Sequence, residues 1–181
     1  CQTETRALAP AALTGVLLEG AGMHAVVAGN IGRPLAEAAK ETRKDGWLVV
    51  ELSSFQLKGT RDFRPRIACL LNVAETHLDY HGTMEDYIAS KAKLFANQTG
   101  DDIAVCNADD AVCRELSARM AARRLPFSLT RELEEGVCVS PPYASVKPED
   151  DEEERERREV WRRADGEEVR IIRTDEIGIP G

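Results

Sequence analysis

Short apolar runs alternate with helix-like segments along the first two thirds of the chain. The helical spacing of apolar residues predicts helices at residues 8–21, 34–43, 84–97 and 109–123. Apolar runs between these segments predict strands at residues 24–28, 47–52, 67–73 and 103–106. The third run contains almost no polar residue, which is typical of a strand covered on both faces. The pattern predicts an α/β domain with a mainly parallel sheet and flanking helices.

The pattern changes beyond Pro126. Residues 149–159 form a dense run of both charges, which predicts a solvated loop or a short exposed helix. Residues 160–172 alternate around Asp165 and Gly166, and this Asp-Gly pair predicts a small β-hairpin near the C-terminus. Residues 177–181 are interpreted as a connector. We expect residues 1–181 to form a single domain.

Composition excludes some classes of partner. The net charge of -8 argues against nonspecific binding to nucleic acid or to an anionic membrane. No apolar run reaches the roughly 18–20 residues that a membrane span needs, and no signal peptide opens the chain. The cysteines form no CxxC pair, and we expect Cys69 and Cys106 to be buried in apolar runs. These features predict a soluble, cytoplasmic protein, expected to be a monomer, with no nucleic-acid or membrane partner.

Glu51 lies at the end of the second apolar run. Ser53 and Ser54 follow it after a single leucine. In open α/β sheets, ligands bind outside the carboxyl ends of the strands. A carboxylate with hydroxyl groups there could hold Mg²⁺, which prefers oxygen ligands. The alternative is a solvent-exposed glutamate with Ser53 capping a turn.

His77 follows the third apolar run within a polar cluster that spans residues 72–82. It could bind a metal or orient a phosphate. Asp79 or Glu75 could then orient the imidazole without binding the metal directly. The alternative is an exposed loop histidine.

Lys91 lies among apolar residues. Thr83 followed by Asp86 predicts a variant capping box and a helix start near residue 84. The residues that share one helical face are Met84, Tyr87, Ile88, Lys91, Leu94 and Phe95. A lysine there could have its amine deprotonated and add CO₂ to form a carbamate, an anionic oxygen ligand for Mg²⁺. The alternative is that the aliphatic part of Lys91 extends past the edge of the helix and places the amine in water. Lys93 lies on the other face and is predicted to be exposed.

Residues 29–32, Gly-Asn-Ile-Gly, form a tight turn between a predicted strand and a predicted helix. Its backbone amides and Asn30 could contact a phosphate or a sugar. The turn could equally be structural.

Several motifs in order resemble the central domain of the Mur ligase family. They occupy residues 27–32, 51–57, 71–82, 87–95, 107–110 and 178–181. The segment Glu-Leu-Ser-Ser-Phe-Gln-Leu at residues 51–57, together with Gly-Asn-Ile-Gly, is most similar to the branch of the family that adds D-glutamate.

The resemblance implies a P-loop NTPase-like fold and an ATP-dependent ligase reaction of peptidoglycan synthesis. Its expected substrates are ATP, UDP-N-acetylmuramoyl-L-alanine and D-glutamate, which react through an acyl phosphate. By resemblance, Glu51 and His77 hold Mg²⁺ and Lys91 is the carbamylated lysine, and all three are catalytic. The side chains implied to line the nucleotide-sugar side are Asn30, Ser53 and Gln56.

One motif departs from the family. Its central domain opens with a phosphate loop of the form GTNGKT, whereas residues 3–8 here read Thr-Glu-Thr-Arg-Ala-Leu, without glycine or lysine. Without this loop the chain is expected to be inactive alone. It is also expected to be a fragment without the family's UDP-binding and D-glutamate-binding flanking domains. The alternatives are a catalytically dead binding or scaffold fragment, and a sibling amide ligase of the folate polyglutamate synthase type.

Overall fold

The computed structural model describes residues 10–74, 78–145 and 158–176. The chain divides into two compact units, residues 1–59 and residues 60–181. The prediction of one domain over residues 1–181 stays a prediction.

The first unit is a β-α-β arrangement preceded by one helix and followed by another. Its elements are α1 (Pro10–Gly20), β1 (Ala25–Gly29), α2 (Leu35–Glu41), β2 (Trp47–Glu51) and α3 (Ser54–Lys58). The two strands are parallel, with Ala25 opposite Trp47 and Gly29 opposite Glu51. Val26 and Ala28 of β1 pack with Ala38 of α2 in a small core. The crossover helix therefore covers β1, and both strands end at the same edge.

The second unit is built on a six-stranded sheet in the order β3-β4-β5-β6-β7-β8. Its strands are β3 (Ile67–Leu70), β4 (Ile103–Asn107), β5 (Arg123–Ser128), β6 (Gly136–Ser140), β7 (Glu159–Ala164) and β8 (Glu167–Arg173). Its helices are α4 (Leu78–His81), α5 (Met84–Ala92) and α6 (Ala111–Ser117), with 3-10 turns at Tyr143–Ser145 and Thr174–Glu176. The strands β3 to β6 are parallel to one another. The strand β7 pairs antiparallel with both β6 and β8.

The predicted α/β class with mainly parallel strands and flanking helices is confirmed. Within the described residues the strands nevertheless form two sheets, one of β1 and β2 and one of β3 to β8. The predicted helix at 109–123 is too long: α6 ends at Ser117, and Arg123 already starts β5. Neither β5 nor β6 was predicted, and the charged run at 149–159 lies largely outside the described residues.

The predicted hairpin is confirmed. β7 and β8 are joined by Asp165 and Gly166, whose φ angles are 56° and 76°. Two consecutive positive φ angles are the requirement of a type I′ turn, which matches the twist of paired strands. The Asp-Gly signal therefore identified both the turn and its position.

The predicted burial of Cys69 is wrong, and β3 is not covered on both faces as its apolar run indicated. Cys106 is buried, but Cys69 is exposed because it shares an uncovered face of β3 with exposed Ile67. No helix that the structure describes has the length and apolar character that crossing a bilayer requires.

Candidate functional site

The carboxyl ends of β1 and β2 bring together two predicted site residues. Asn30 follows β1 directly, and its backbone N–H donates to the carbonyl oxygen of Glu51 at 2.8 Å. The Asn30 side-chain amide donates to Oε1 of Glu51 at 3.2 Å. A carboxylate has about four lone-pair positions, so this bond orients Glu51 while leaving acceptor capacity. The geometry therefore presents an oriented carboxylate at the edge where parallel sheets bind ligands.

Glycine is required in the turn beside this carboxylate. Gly29 has a φ of 109°, and a Cβ at this position would lie 2.1 Å from the carbonyl oxygen of Glu51. Any side chain would push apart the two strand ends, because that distance is far below van der Waals contact. The turn is thus a structural requirement of the Asn30–Glu51 contact.

Ser53 and Gln56 are bonded to each other. The Ser53 hydroxyl accepts from the backbone N–H of Gln56 at 3.3 Å, and Oε1 of Gln56 accepts from the backbone N–H of Ser53 at 2.9 Å. This reciprocal pair is a capping box that starts α3. The capping alternative for Ser53 is therefore observed. Both residues lie at the same strand end as Glu51, and Gln56 is exposed.

Lys91 lies in α5, within the second unit. The predicted apolar face is confirmed: Tyr87 and Phe95 are buried, with Met84, Ile88 and Leu94 packed partly buried against the same core. Lys91 itself is half-buried, and its Nζ lies 5.0 Å from the centroid of the Tyr87 ring. An ammonium over an aromatic face is attracted by the ring quadrupole. The amine therefore lies at the margin of the core.

The N-terminus of α5 differs from the predicted capping box. Thr83 accepts from the backbone N–H of Asp86 at 3.2 Å, as expected. The Asp86 carboxylate, however, lies 2.9 Å from Nδ1 of His81. His81 is 6% exposed, and its ring is tilted against Tyr87 at a centroid distance of 5.2 Å. His81 was not predicted as a site residue, because its buried position depends on the turn between α4 and α5.

Lys93 is not the freely exposed lysine that was predicted. It is partly buried, and its Nζ donates to the carbonyl oxygen of Thr60 at 3.2 Å. Lys93 follows the end of α5 with helical backbone angles, and this hydrogen bond to Thr60 is what holds its side chain out of open solvent.

His77 and Glu75 lie outside the described residues. Of their neighbours, Val73 is buried, and Asp79 is exposed at the start of α4. Glu51 and Lys91 belong to different units. A shared site for Glu51, His77 and Lys91 therefore stays a prediction.

Within residues 10–74, 78–145 and 158–176, no cluster of three or more histidine, cysteine, aspartate or glutamate side chains could hold a metal ion. The predicted ligand set would not form such a cluster among the described residues. One of its members is a modified lysine, and another, His77, lies outside the described residues. The chemistry of the predicted set fits Mg²⁺ in part: the Glu51 carboxylate and a carbamate supply hard oxygen ligands, which Mg²⁺ prefers.

The motif at residues 107–110 lies at the carboxyl end of β4. The Asp109 carboxylate accepts from the Ser128 hydroxyl at 2.6 Å, from the Leu129 backbone N–H at 2.7 Å and from the Thr130 hydroxyl at 2.5 Å. Burial raises the pKa of Asp109, but these hydrogen bonds outweigh it and lower the pKa to about 2. The side chain therefore holds the end of β5 as a carboxylate.

Comparison with known proteins agrees with this fold. The model of the Mur ligase middle domain matches residues 18–167. A UDP-N-acetylmuramoylalanine–D-glutamate ligase of Bacillus cereus (strain G9842) is 47% identical over 127 residues, covering 70% of this chain and 28% of the relative. The corresponding ligase of Geobacillus sp. (strain WCH70) is 50% identical over 115 residues, covering 64% and 26%. The chain thus spans about a quarter of these relatives.

Solved structures support the fold. A UDP-N-acetylmuramoyl-L-alanyl-D-glutamate–2,6-diaminopimelate ligase superposes with a TM-score of 0.55 at 24% identity, covering 71% of this chain and 31% of that one. MurF from Acinetobacter baumannii superposes with a TM-score of 0.56 at 14% identity, covering 88% and 34%. The matched residues, the parallel strands and the family model agree. The chain belongs to the Mur ligase family and represents its middle domain.

Proposed function

We propose that the chain is the middle-domain part of a cytoplasmic, monomeric ligase that joins D-glutamate to UDP-N-acetylmuramoyl-L-alanine in peptidoglycan synthesis. Its high identity to ligases with that name supports the substrates. The observation that carries the proposal is the oriented pair of Asn30 and Glu51 at the carboxyl end of two parallel strands. This edge is the ligand edge of open α/β sheets.

The proposed reaction passes through an acyl phosphate. The γ-phosphoryl group of ATP is transferred to the substrate carboxylate, the D-glutamate amine attacks the acyl carbon, and inorganic phosphate leaves. Positioning and charge neutralisation supply most of the catalysis in such transfers. Mg²⁺, held by Glu51, His77 and the carbamate of Lys91, would neutralise phosphate charge when bound.

The remaining side chains orient the substrate. Asn30 holds one carboxylate oxygen of Glu51, and this bond leaves further acceptor positions of the carboxylate for a ligand. Ser53 and Gln56 are fixed by their capping box, and we assign them to the polar groups of the nucleotide-sugar. A pre-bonded pair loses little side-chain entropy on binding.

Lys91 requires a covalent change for its proposed role. Its neutral amine adds CO₂, forming an N–C bond and a carbamate anion and releasing one proton. The half-buried position of Lys91 on the apolar face of α5 supports this assignment, because it places the amine at the margin of the core and not in open solvent.

A catalytically dead binding or scaffold fragment is the second candidate. It is favoured by residues 3–8, which contain no glycine or lysine to cradle phosphates, and by Glu4, which would repel them. The folate polyglutamate synthase type is disfavoured by the segment at residues 51–57.

Nucleotide binding tests the proposal. We expect the unaltered chain to release no ADP with UDP-N-acetylmuramoyl-L-alanine, D-glutamate, ATP and Mg²⁺, because residues 3–8 cannot bind phosphate. Exchanging residues 3–8 for Gly-Thr-Asn-Gly-Lys-Thr should create binding of a fluorescent ATP analogue. The matched control carries alanine in place of the lysine in that loop. Absence of binding in the exchanged chain would refute an ATP-binding middle domain, and ADP release by the unaltered chain would refute its inactivity.

A further inference from the structure

His81 is a buried polar residue to which the proposed reaction gives no role. It is the last residue of α4, and its side chain is fully buried. Polar side chains in a protein interior have hydrogen-bond partners, and a satisfied buried network makes the local arrangement rigid. The neighbours of His81 therefore indicate which part of the second unit it holds in place.

The Asp86 carboxylate fixes the orientation of the His81 imidazole. Its Oδ2 lies 2.9 Å from Nδ1 of His81. A carboxylate only accepts hydrogen bonds, so Nδ1 carries the hydrogen and donates it. The Asp86 backbone is held on both sides, because its N–H donates to the Thr83 hydroxyl at 3.2 Å and its carbonyl oxygen accepts from the Ser90 hydroxyl at 2.8 Å. The carboxylate thus reaches His81 from a fixed first turn of α5.

Two tyrosine rings pack against the imidazole. The Tyr80 ring meets it edge to face at a centroid distance of 5.0 Å, and the Tyr87 ring is tilted against it at 5.2 Å. Tyr87 is buried, whereas Tyr80 is exposed. Rings at these separations attract each other and prefer defined relative orientations. Because Asp86 fixes the imidazole, the buried Tyr87 ring packs against a fixed neighbour.

The Tyr87 ring in turn supports the amine of Lys91. The Lys91 Nζ lies over this ring, 5.0 Å from its centroid. The two residues are four positions apart on α5, which is the spacing at which helical side chains meet. A lysine amine within about 6 Å of a ring centroid is attracted to the ring face. The contacts therefore form one continuous series, from Asp86 through His81 and Tyr87 to Lys91.

We propose that His81 and Asp86 are positioning residues that fix the Tyr87 ring and, through it, the side chain of Lys91. The inference rests on the proposed function for its consequence, since Lys91 is the lysine assigned to the carbamate. A long, flexible side chain keeps one position only if its surroundings hold it, and functional groups depend on such a supporting set of residues. His81 and Asp86 act through Tyr87 and do not contact a substrate themselves.

Matched variants separate the hydrogen bond from general packing. Asp86→Ala removes the acceptor for Nδ1, whereas Asp86→Asn keeps a side-chain oxygen that can accept from it. The Asp86 side chain is 37% exposed, so neither change leaves a buried cavity. His81→Ala removes the ring that packs against Tyr87. The control is Ser90→Ala, which removes one hydrogen bond of the same helix and leaves the Asp86 carboxylate in place.

Nuclear magnetic resonance of the full chain, without metal and in CO₂-free buffer, reads the position of Lys91. Lys91→Arg assigns the signal of its ε-methylene protons. Protons over an aromatic face are shielded, so Tyr87→Leu should move this signal downfield. Asp86→Ala and His81→Ala should each move it at least about half as far, because the ring loses its fixed orientation. Asp86→Asn should keep most of the wild-type shift, and Ser90→Ala should leave the signal unchanged.

Three results would overturn the inference. The first is a Lys91 signal that keeps its wild-type position in both alanine variants, or in Tyr87→Leu. The second is a shift in Asp86→Asn equal to that in Asp86→Ala, since the hydrogen bond would then not be what fixes the imidazole. The third is an equal shift in Ser90→Ala, because any loosening of α5 would then move Lys91.

Isotopically labelled CO₂ separates this inference from the proposed function. The wild-type chain should show a carbamate carbonyl signal that Lys91→Arg removes. That signal should broaden in His81→Ala and Asp86→Ala, because the lysine that carries the carbamate is no longer held, and a sharp signal in both would refute this consequence. If the wild-type chain forms no carbamate, the proposed role of Lys91 fails, while the CO₂-free spectra still decide whether His81 and Asp86 position it.

Discussion

The two units end their parallel strands in different ways. In the first unit, β1 and β2 end in a glycine turn and a capping box, whose polar groups bond to partners within the same strand ends. In the second unit, the end of β4 carries Asn107, Asp109 and Asp110, which reach the segments after both neighbouring strands. The first edge is held mainly by backbone geometry and the second by side chains.

This difference explains which polar residues remain available to a ligand. Glu51 is oriented by one amide and keeps acceptor capacity, whereas Asp109 is engaged by several donors and has a pKa of about 2. A carboxylate that already accepts so many hydrogen bonds gains little from a metal. Polar residues at a carboxyl edge are therefore not equivalent, and the number of internal donors distinguishes a candidate ligand from a structural acceptor.

The largest expected effect is at Gly29. We expect Gly29→Ala to destabilise the first unit by about 3 kcal/mol or more, because the new Cβ would meet the Glu51 carbonyl oxygen at a positive φ. Each unit contains one tryptophan, Trp47 and Trp161. Urea unfolding of a Trp161→Phe background, followed by Trp47 fluorescence, measures the loss.

The matched control is Gly20→Ala. Gly20 ends α1, and a Cβ there would meet nothing within 4 Å. Gly20→Ala should change the free energy of unfolding of the first unit by less than about 1 kcal/mol. Equal effects at the two glycines would contradict the view that backbone geometry holds the β1–β2 edge.

Asp109→Asn is expected to have the next largest effect, in the second unit. The folded pKa of about 2 lies below the ordinary 3.8, so the carboxylate stabilises the fold above pH 4. The difference corresponds to about 2 kcal/mol, which is lost as the pH falls through the folded pKa. Unfolding followed by Trp161 fluorescence in a Trp47→Phe background should show a gap between wild type and variant at pH 7 that closes toward pH 2.

Asp101→Asn serves as the control for Asp109→Asn, because Asp101 is an exposed aspartate in the same unit. It should change the free energy of unfolding by no more than about 0.5 kcal/mol at either pH. A gap for Asp109→Asn that does not narrow in acid would show that its hydrogen bonds do not favour the charged form.

Ser53→Ala is expected to have the smallest effect. Loss of the N-cap should destabilise the first unit by about 1 kcal/mol, and Ser53→Asp should restore most of it because aspartate is also a good cap. Trp47 fluorescence during urea unfolding reads both variants. If Ser53→Ala leaves the free energy of unfolding unchanged, the capping box contributes no stability, and the proposed binding role is the only role left for Ser53.

Local patterns predicted much of the fold and part of the candidate site. The helical spacing placed Tyr87 and Lys91 on one face, and the Asp-Gly pair placed the last hairpin. The strand β5 was missed because it begins with two arginines and contains Pro126, so its strand character depends on pairing with β4 and β6. Propensity yields to such long-range pairing in sheets.

The sequence by itself determined the α/β class, the strand-end position of Glu51 and the turn at residues 29–32, since each depends on neighbours a few residues away. Only the tertiary structure decided that Asp109 bonds to residues about twenty positions later, that Asn107 reaches the segment after β3, and that Asp86 pairs with a buried His81. These contacts depend on which strands and turns become neighbours. The packing of the whole unit decides which segments become neighbours, because apolar surface is buried only when segments distant in the sequence come together.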